Sequence, residues 1–193
     1  AEERRIVVPY ERIPKKLIQA FIAGEDKKFF EHGGIDYLGI INAVLQKVTG
    51  RTEKLRGAST ITQQLAKSLI ISAEGHAAGT ERSARRKVRE AVLAKKLEAE
   101  LTKEEIIWIY LNQIYLGHGA YGVQAAAENY FRKDISELTV AEMALLAGLP
   151  QAPSRFSPIV KPSAARVRQE YVLGRMVDDG YITEAERDEA KAL

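Results

Sequence analysis

The chain has 193 residues, a formal net charge of +3, 46% hydrophobic residues and no cysteine. That length can bury a core without covalent staples, and the lack of cysteine excludes a disulfide framework, a thiolate nucleophile and a zinc-thiolate centre while leaving the redox compartment unread. No stretch approaches the roughly 20 apolar residues that cross a bilayer, and no signal-peptide pattern opens the chain, so the sequence as given does not span a membrane.

The charged opening, Glu2-Glu3-Arg4-Arg5, reads as a cut rather than a natural start, with an anchor expected upstream. Ile6 to Tyr10 reads as a short extended segment. Leu17, Ile18, Phe21 and Ile22 then recur at helical spacing and lead into Gly24-Glu25-Asp26, which predicts an amphipathic helix ending at an acidic pair. A turn at Gly33-Gly34 precedes a second apolar-periodic stretch, Tyr37 to Val48, and a loop from Thr49 to Gly57. Ser59 or Thr60 is suited to cap the next helix, which carries Gln63, Gln64 and Lys67.

Ser72 to Thr80 is small and polar and is expected to be a mobile loop before a basic helix from about Ser83 to Glu100. Thr102 with Glu105, and Thr139 with Glu142, are capping boxes that predict two further helix starts. Pro150, Pro153 and Pro158 break the pattern, and a helical tail follows from about Ser163 to Leu193, interrupted at Gly180. With little strand signal and no internal repeat, the expected fold class is mainly α.

Among residues that can carry chemistry, Glu25 ends an apolar helix and is followed by Phe29 and Phe30, a setting that desolvates a carboxylate and suits it to general acid/base work. An ordinary solvated Glu-Asp pair at a helix end fits the same residues. Glu90 follows Arg86 by four positions and Lys87 by three, which makes either a surface ion pair of about 0.3 to 0.5 kcal/mol or a group that orients cations. Arg82, Arg85, Arg86, Lys87 and Arg89 outnumber the nearby acids, and surplus cations call for an anion: phosphate, lipid headgroup or nucleic acid.

Gln63, Gln64 and Lys67, just after Gly57-Ala58-Ser59-Thr60, can form an oxyanion or phosphate cradle, though a simple polar helix entry has the same composition and P-loop spacing is absent. His32, His76 and His118 are too scattered for a metal site. Tyr110, Tyr115, Tyr121 and Tyr130 can either stack on sugar rings or pack a core.

Taken in order, Glu25-Asp26-Lys27-Lys28-Phe29-Phe30-Glu31-His32-Gly33-Gly34 and Gly57-Ala58-Ser59-Thr60-Ile61-Thr62-Gln63-Gln64 resemble the first two signature motifs of family 51 glycosyltransferases. Arg86 to Glu90 resembles the third, Tyr110 to Tyr115 with Gly122 to Ala127 the fourth, and Glu142 to Pro153 the fifth, so the resemblance covers roughly residues 10 to 190. The stretch between Lys67 and Arg86 departs from the family pattern by being several residues longer.

The resemblance implies a mainly α, lysozyme-like fold forming a single domain over 1–193. A large lobe is accompanied by a smaller membrane-proximal lobe at roughly 37–82, with the site in the cleft between the lobes. It implies polymerisation of lipid II into peptidoglycan strands by inverting transfer of a chain held on undecaprenyl pyrophosphate to an acceptor 4-hydroxyl, in cell-wall biosynthesis. Glu25 is then the general base, and Ser59, Thr60, Gln63, Gln64, Lys67, Arg82, Arg86, Lys87 and Asn112 are substrate contacts. Glu90 is left with three open roles: orienting cations, binding a metal or positioning the donor sugar.

A divalent cation, magnesium or manganese, is implied as a cofactor able to share the pyrophosphate charge; no organic cofactor is. Expected partners are lipid II, the lipid-linked glycan and the membrane surface, not nucleic acid. The implied location is the outer face of the bacterial cytoplasmic membrane. No Ser-x-x-Lys or Lys-Thr-Gly occurs, so a transpeptidase domain is expected only elsewhere in a longer parent. The rivals are a lysozyme-like hydrolase or lytic transglycosylase, for which the basic residues have little use, and a non-catalytic module binding nucleic acid or membrane, which leaves the ordered motifs unexplained.

Overall fold

The structure, a computed structural model, describes residues 4–50, 59–75, 84–150, 153 and 156–192. Among these the elements are β1 (Arg4–Arg5), α1 (Lys15–Glu25), α2 (Tyr37–Thr49), α3 (Ile61–Glu74), α4 (Ala84–Glu100), α5 (Lys103–Gln113), β2 (Ala120–Tyr121), α6 (Val123–Phe131), α7 (Val140–Ala147), α8 (Pro162–Asp178) and α9 (Glu184–Lys191), so the class is mainly α. The expected loop from Ser72 begins later, because α3 continues to Glu74; Gly57, Ala58 and Arg82 lie outside the described residues.

Contacts divide the chain into two compact units, one of Ala1–Lys27 with Trp108–Leu193 and one of Lys28–Ile107. The second unit includes α4, which packs on α3.

In the first unit α1 is the central element. Its residues from Leu17 to Glu25 are buried save Gln19, since α7 and α8 both pack on it. Phe21 is fully buried and meets Tyr110 of α5 edge-on, with ring centroids 6.1 Å apart. Burying side chains of this size contributes about 1.5 to 3 kcal/mol each. Gly24 lets α8 come close: a Cβ there would lie 3.3 Å from Val172 Cγ2 and 3.6 Å from the Ala147 carbonyl oxygen.

Both predicted capping boxes form, Thr102 with Glu105 and Thr139 with Glu142, and a third at Thr183 and Glu186 starts α9. Burial alone would raise the Glu142 carboxyl, but Lys133 and the Thr139 cap together hold it below its usual range.

Asn112 ties the extended segment to α5. Its Oδ1 accepts from Val8 N at 2.9 Å, while its Nδ2 donates to the Val8 oxygen at 3.2 Å and to the Trp108 oxygen at 2.9 Å. Asn112→Ala is therefore expected to lower unfolding stability by about 1 to 3 kcal/mol, because it strands buried backbone groups. Denaturant unfolding measures this, and an unchanged midpoint would show that Val8 finds other partners.

The second unit holds α2, α3, α4 and the start of α5. Gly34, at φ 104, lies so close to α4 that a Cβ would be 3.1 Å from the Ala94 oxygen, and its own carbonyl accepts from Thr60 Oγ1 at 2.7 Å. Thr62 and Lys103 both donate to Glu98, at 2.8 and 2.7 Å, and Lys103 sits 4.6 Å over the Phe29 ring. These links fix the first-motif loop against the start of α3 and one side of α4.

Helix α2 has its amphipathicity turned outward. Asp36 caps it by accepting from Gly39 N, and Gly50 ends it, yet none of its residues is buried. Leu38, Ile41, Val44 and Leu45 are each more than half exposed and Val48 is 79% exposed, while the intermediate positions are Gly39, Ala43 and Gln46. No helix among the described residues is long and apolar enough to cross a membrane.

Candidate active site

Glu25 is the last residue of α1 and only 2% exposed, as α7 and α8 cover the helix that carries it. Arg168 of α8 approaches it, with Nη2 3.5 Å from Oε1. That arginine is itself held in place. Its Nε donates to the Gly148 oxygen at 3.4 Å, and its guanidinium lies 4.4 Å over the Tyr171 ring and 5.8 Å over that of Phe156. A carboxylate this deep needs a counter-charge to stay ionised, and Arg168 supplies one without leaving its aromatic shelf.

Asp26, buried beside Glu25, caps α1 through its backbone N–H to the Ile22 oxygen. Burial, then the nearby charges of Glu25 and Asp26, push the Tyr110 phenol well above its ordinary range. Tyr110 is therefore a core residue with a firmly neutral hydroxyl. Tyr130 is likewise engaged, donating to the Leu116 oxygen at 2.7 Å, and burial pushes it up to about 12. Tyr115 and Tyr121 are partly exposed and pair with ring centroids 4.9 Å apart.

In the second unit the second and third motifs meet. Lys87 Nζ donates to Ser59 Oγ at 3.1 Å and lies 3.5 Å from Glu90 Oε2. Arg86 Nε approaches Glu90 Oε1 at 3.1 Å, a close ion pair outside hydrogen-bond alignment. Glu90 is 2% exposed, so the two cations are fastened to a buried carboxylate rather than spread on a surface. Lys87 itself remains exposed.

Thr60 and Gln63 are occupied in capping: Thr60 Oγ1 accepts from Gln63 N at 3.1 Å, and Gln63 Oε1 accepts from Thr60 N at 2.9 Å. Lys67 is exposed on the next turn of α3, and Gln64 is partly covered. Arg89 points to another task, pairing with Glu74 at the end of α3; this hydrogen bond holds the Glu74 carboxyl below its usual range.

Asn112, as described above, spends its amide on the backbone of Val8 and Trp108. Arg168 had no signal in the sequence, lying 143 positions from Glu25.

Among the described residues no three His, Asp or Glu side chains converge, and each Glu90 oxygen already faces a cation.

The transglycosylase family model matches residues 1–177, and the chain belongs to that family, the glycosyltransferases of peptidoglycan polymerisation. It is similar to penicillin-binding protein 1A of Escherichia coli, 47% identical over 191 residues covering 98% of this chain and 21% of that protein. Its counterparts in Rickettsia felis, 45% identical over 192 residues, and Neisseria flavescens, 47% over 190, are each matched over 98% of this chain and 23% of their own length. The chain thus spans less than a quarter of these relatives. A solved structure of penicillin-binding protein 1A from Haemophilus influenzae aligns with 99% of this chain and 18% of its own, at 30% identity and a TM-score of 0.56, in keeping with the lysozyme-like helical fold.

Proposed function

We propose that this domain polymerises lipid II, moving the growing glycan from undecaprenyl pyrophosphate to the 4-hydroxyl of a lipid-linked acceptor. The observation that carries the reading is a deeply buried Glu25 kept beside a fixed guanidinium. Such a carboxylate is charged yet shielded from water, which is what a base acting on a sugar hydroxyl requires.

Glu25 takes the proton from the acceptor 4-hydroxyl while the oxygen of that hydroxyl bonds to the anomeric carbon. The bond from that carbon to the pyrophosphate breaks, and the pyrophosphate leaves with the electron pair. Attack opposite the leaving group inverts the anomeric centre, and no covalent enzyme intermediate forms. Arg86, Lys87 and Lys67 oppose the charge growing on the pyrophosphate, with Glu90 holding the first two in position. A hydrolase, whose leaving group is neutral, gains little from such cations.

The outward apolar face of α2 supports a place at a membrane surface. The substrate lipid puts the domain on the outer face of the cytoplasmic membrane, with an anchor and a transpeptidase domain in a longer parent chain.

Incubating the purified chain with lipid-linked disaccharide-pentapeptide in detergent and separating the products by length tests the reading. Long strands are the expected product. Cleavage of preformed peptidoglycan without any polymer would assign the same carboxylate to a hydrolase.

A further inference from the structure

We propose that the second unit binds the headgroup of an anionic phospholipid in a groove between the start of α2 and the outer side of α4. Ile35, Tyr37, Ala91, Val92 and Ala99 form the apolar wall and Lys95 and Lys96 the polar one, around a space of about 410 Å³. Among the described residues no acidic one lines it. Of the carboxylates adjacent in sequence, Asp36 accepts from Gly39 N, Glu90 pairs with Arg86 and Lys87, and Glu98 accepts from Thr62 and Lys103, while Glu100 is exposed beyond Ala99.

Lys95 Nζ is held 5.3 Å over the Tyr37 ring, so one ammonium is poised at the mouth rather than swinging freely. Val88 and Val92 lie exposed on α4, four residues and about one helical turn apart, and continue the apolar side along that helix. Apolar wall, fixed ammonium and second lysine match a molecule with an acyl chain below a single negative charge. A soluble anion would leave the apolar wall wet, and a neutral lipid would leave the lysines unmatched.

This site rests on the reading of α2 as membrane-facing, but makes a separate demand: a preference for negative lipid. Flotation with vesicles of phosphatidylcholine alone, or with added phosphatidylglycerol, separates the two. The chain is expected on both, more tightly on the anionic ones. Lys95→Gln with Lys96→Gln should weaken anionic binding by about 25-fold, about fivefold per lysine, and leave neutral binding unchanged.

Ala99→Phe fills the groove while keeping both charges, and circular dichroism checks that it folds. Loss of the phosphatidylglycerol preference in this variant supports a built site, whereas an intact preference overturns it in favour of diffuse attraction. Binding to both vesicle types without preference overturns the groove alone. Binding to neither removes the membrane reading of α2 as well.

Discussion

Replacing Glu25 by glutamine is expected to cut strand synthesis by about 10²- to 10⁴-fold, the range that a positioned general base contributes. Glutamine keeps the shape and an acceptor oxygen at the Oε1 position, so the contact to Arg168 survives as a weaker, neutral one. What is lost is the ability to take a proton.

Arg168 keeps its hold on the Gly148 oxygen and the rings of Tyr171 and Phe156, which limits the accompanying loss of stability to about 1 to 2 kcal/mol. Polymer yield per unit time, compared with the unmutated chain at matched helicity, decides the matter. Turnover within tenfold of normal in a folded variant would remove Glu25 as the base.

The second large effect belongs to Arg168→Met. Its side chain and that of Glu25 are both largely buried, and breaking such a pair by removing one partner costs about 3 to 5 kcal/mol, because a buried carboxylate loses a counter-charge. The Glu25 carboxyl then favours its neutral form, and its titration moves upward. The negative charge of Asp26 pushes the same way, while Tyr110, kept protonated by burial and by both acids, adds no charge.

A carboxyl whose folded titration is raised destabilises the fold at pH values above its ordinary range and ceases to do so below it. The stability deficit should therefore be largest near neutrality, shrink as pH falls through the raised titration, and be gone below about 4. The acid limb of the pH–rate profile should move to higher pH, with the optimum following. An unmoved profile in a destabilised variant would make Arg168 a packing residue only. Adding Glu25→Gln to Arg168→Met should restore part of the lost stability, since both changes act on one interaction and their costs do not add.

These two side chains mark the boundary of what the sequence discloses. Glu25 is legible because its neighbours in the chain are legible: the apolar spacing of Leu17, Phe21 and Ile22 predicts the helix whose end it occupies. The capping boxes at Thr102 and Thr139 are local patterns too, and both form. Arg168 belongs to a helix where charged residues are common, and only the packing of α8 on α1 gives it meaning. Likewise Ser59 and Lys87 meet across 28 positions of chain, a contact that no spacing rule anticipates.

The β1 and β2 pairing, Arg4 with Ala120 and Arg5 with Tyr121, is two residues long and leaves no periodicity to detect. For α2 the period was plain but its destination was not, since a stripe of Leu, Ile and Val looks the same whether protein or lipid covers it.

That outward stripe also sets how the two halves of this sequence are free to drift. In α1 each side chain fills a shape made by its neighbours, so exchanging Phe21 for another large residue disturbs several others at once. In α2 there is no such mould. Leu38, Ile41, Val44, Leu45 and Val48 can trade places with one another, or with any apolar residue, as long as the face stays greasy. One helix is constrained by contour and the other only by solubility, so in this domain a tolerant position need not be a neutral one.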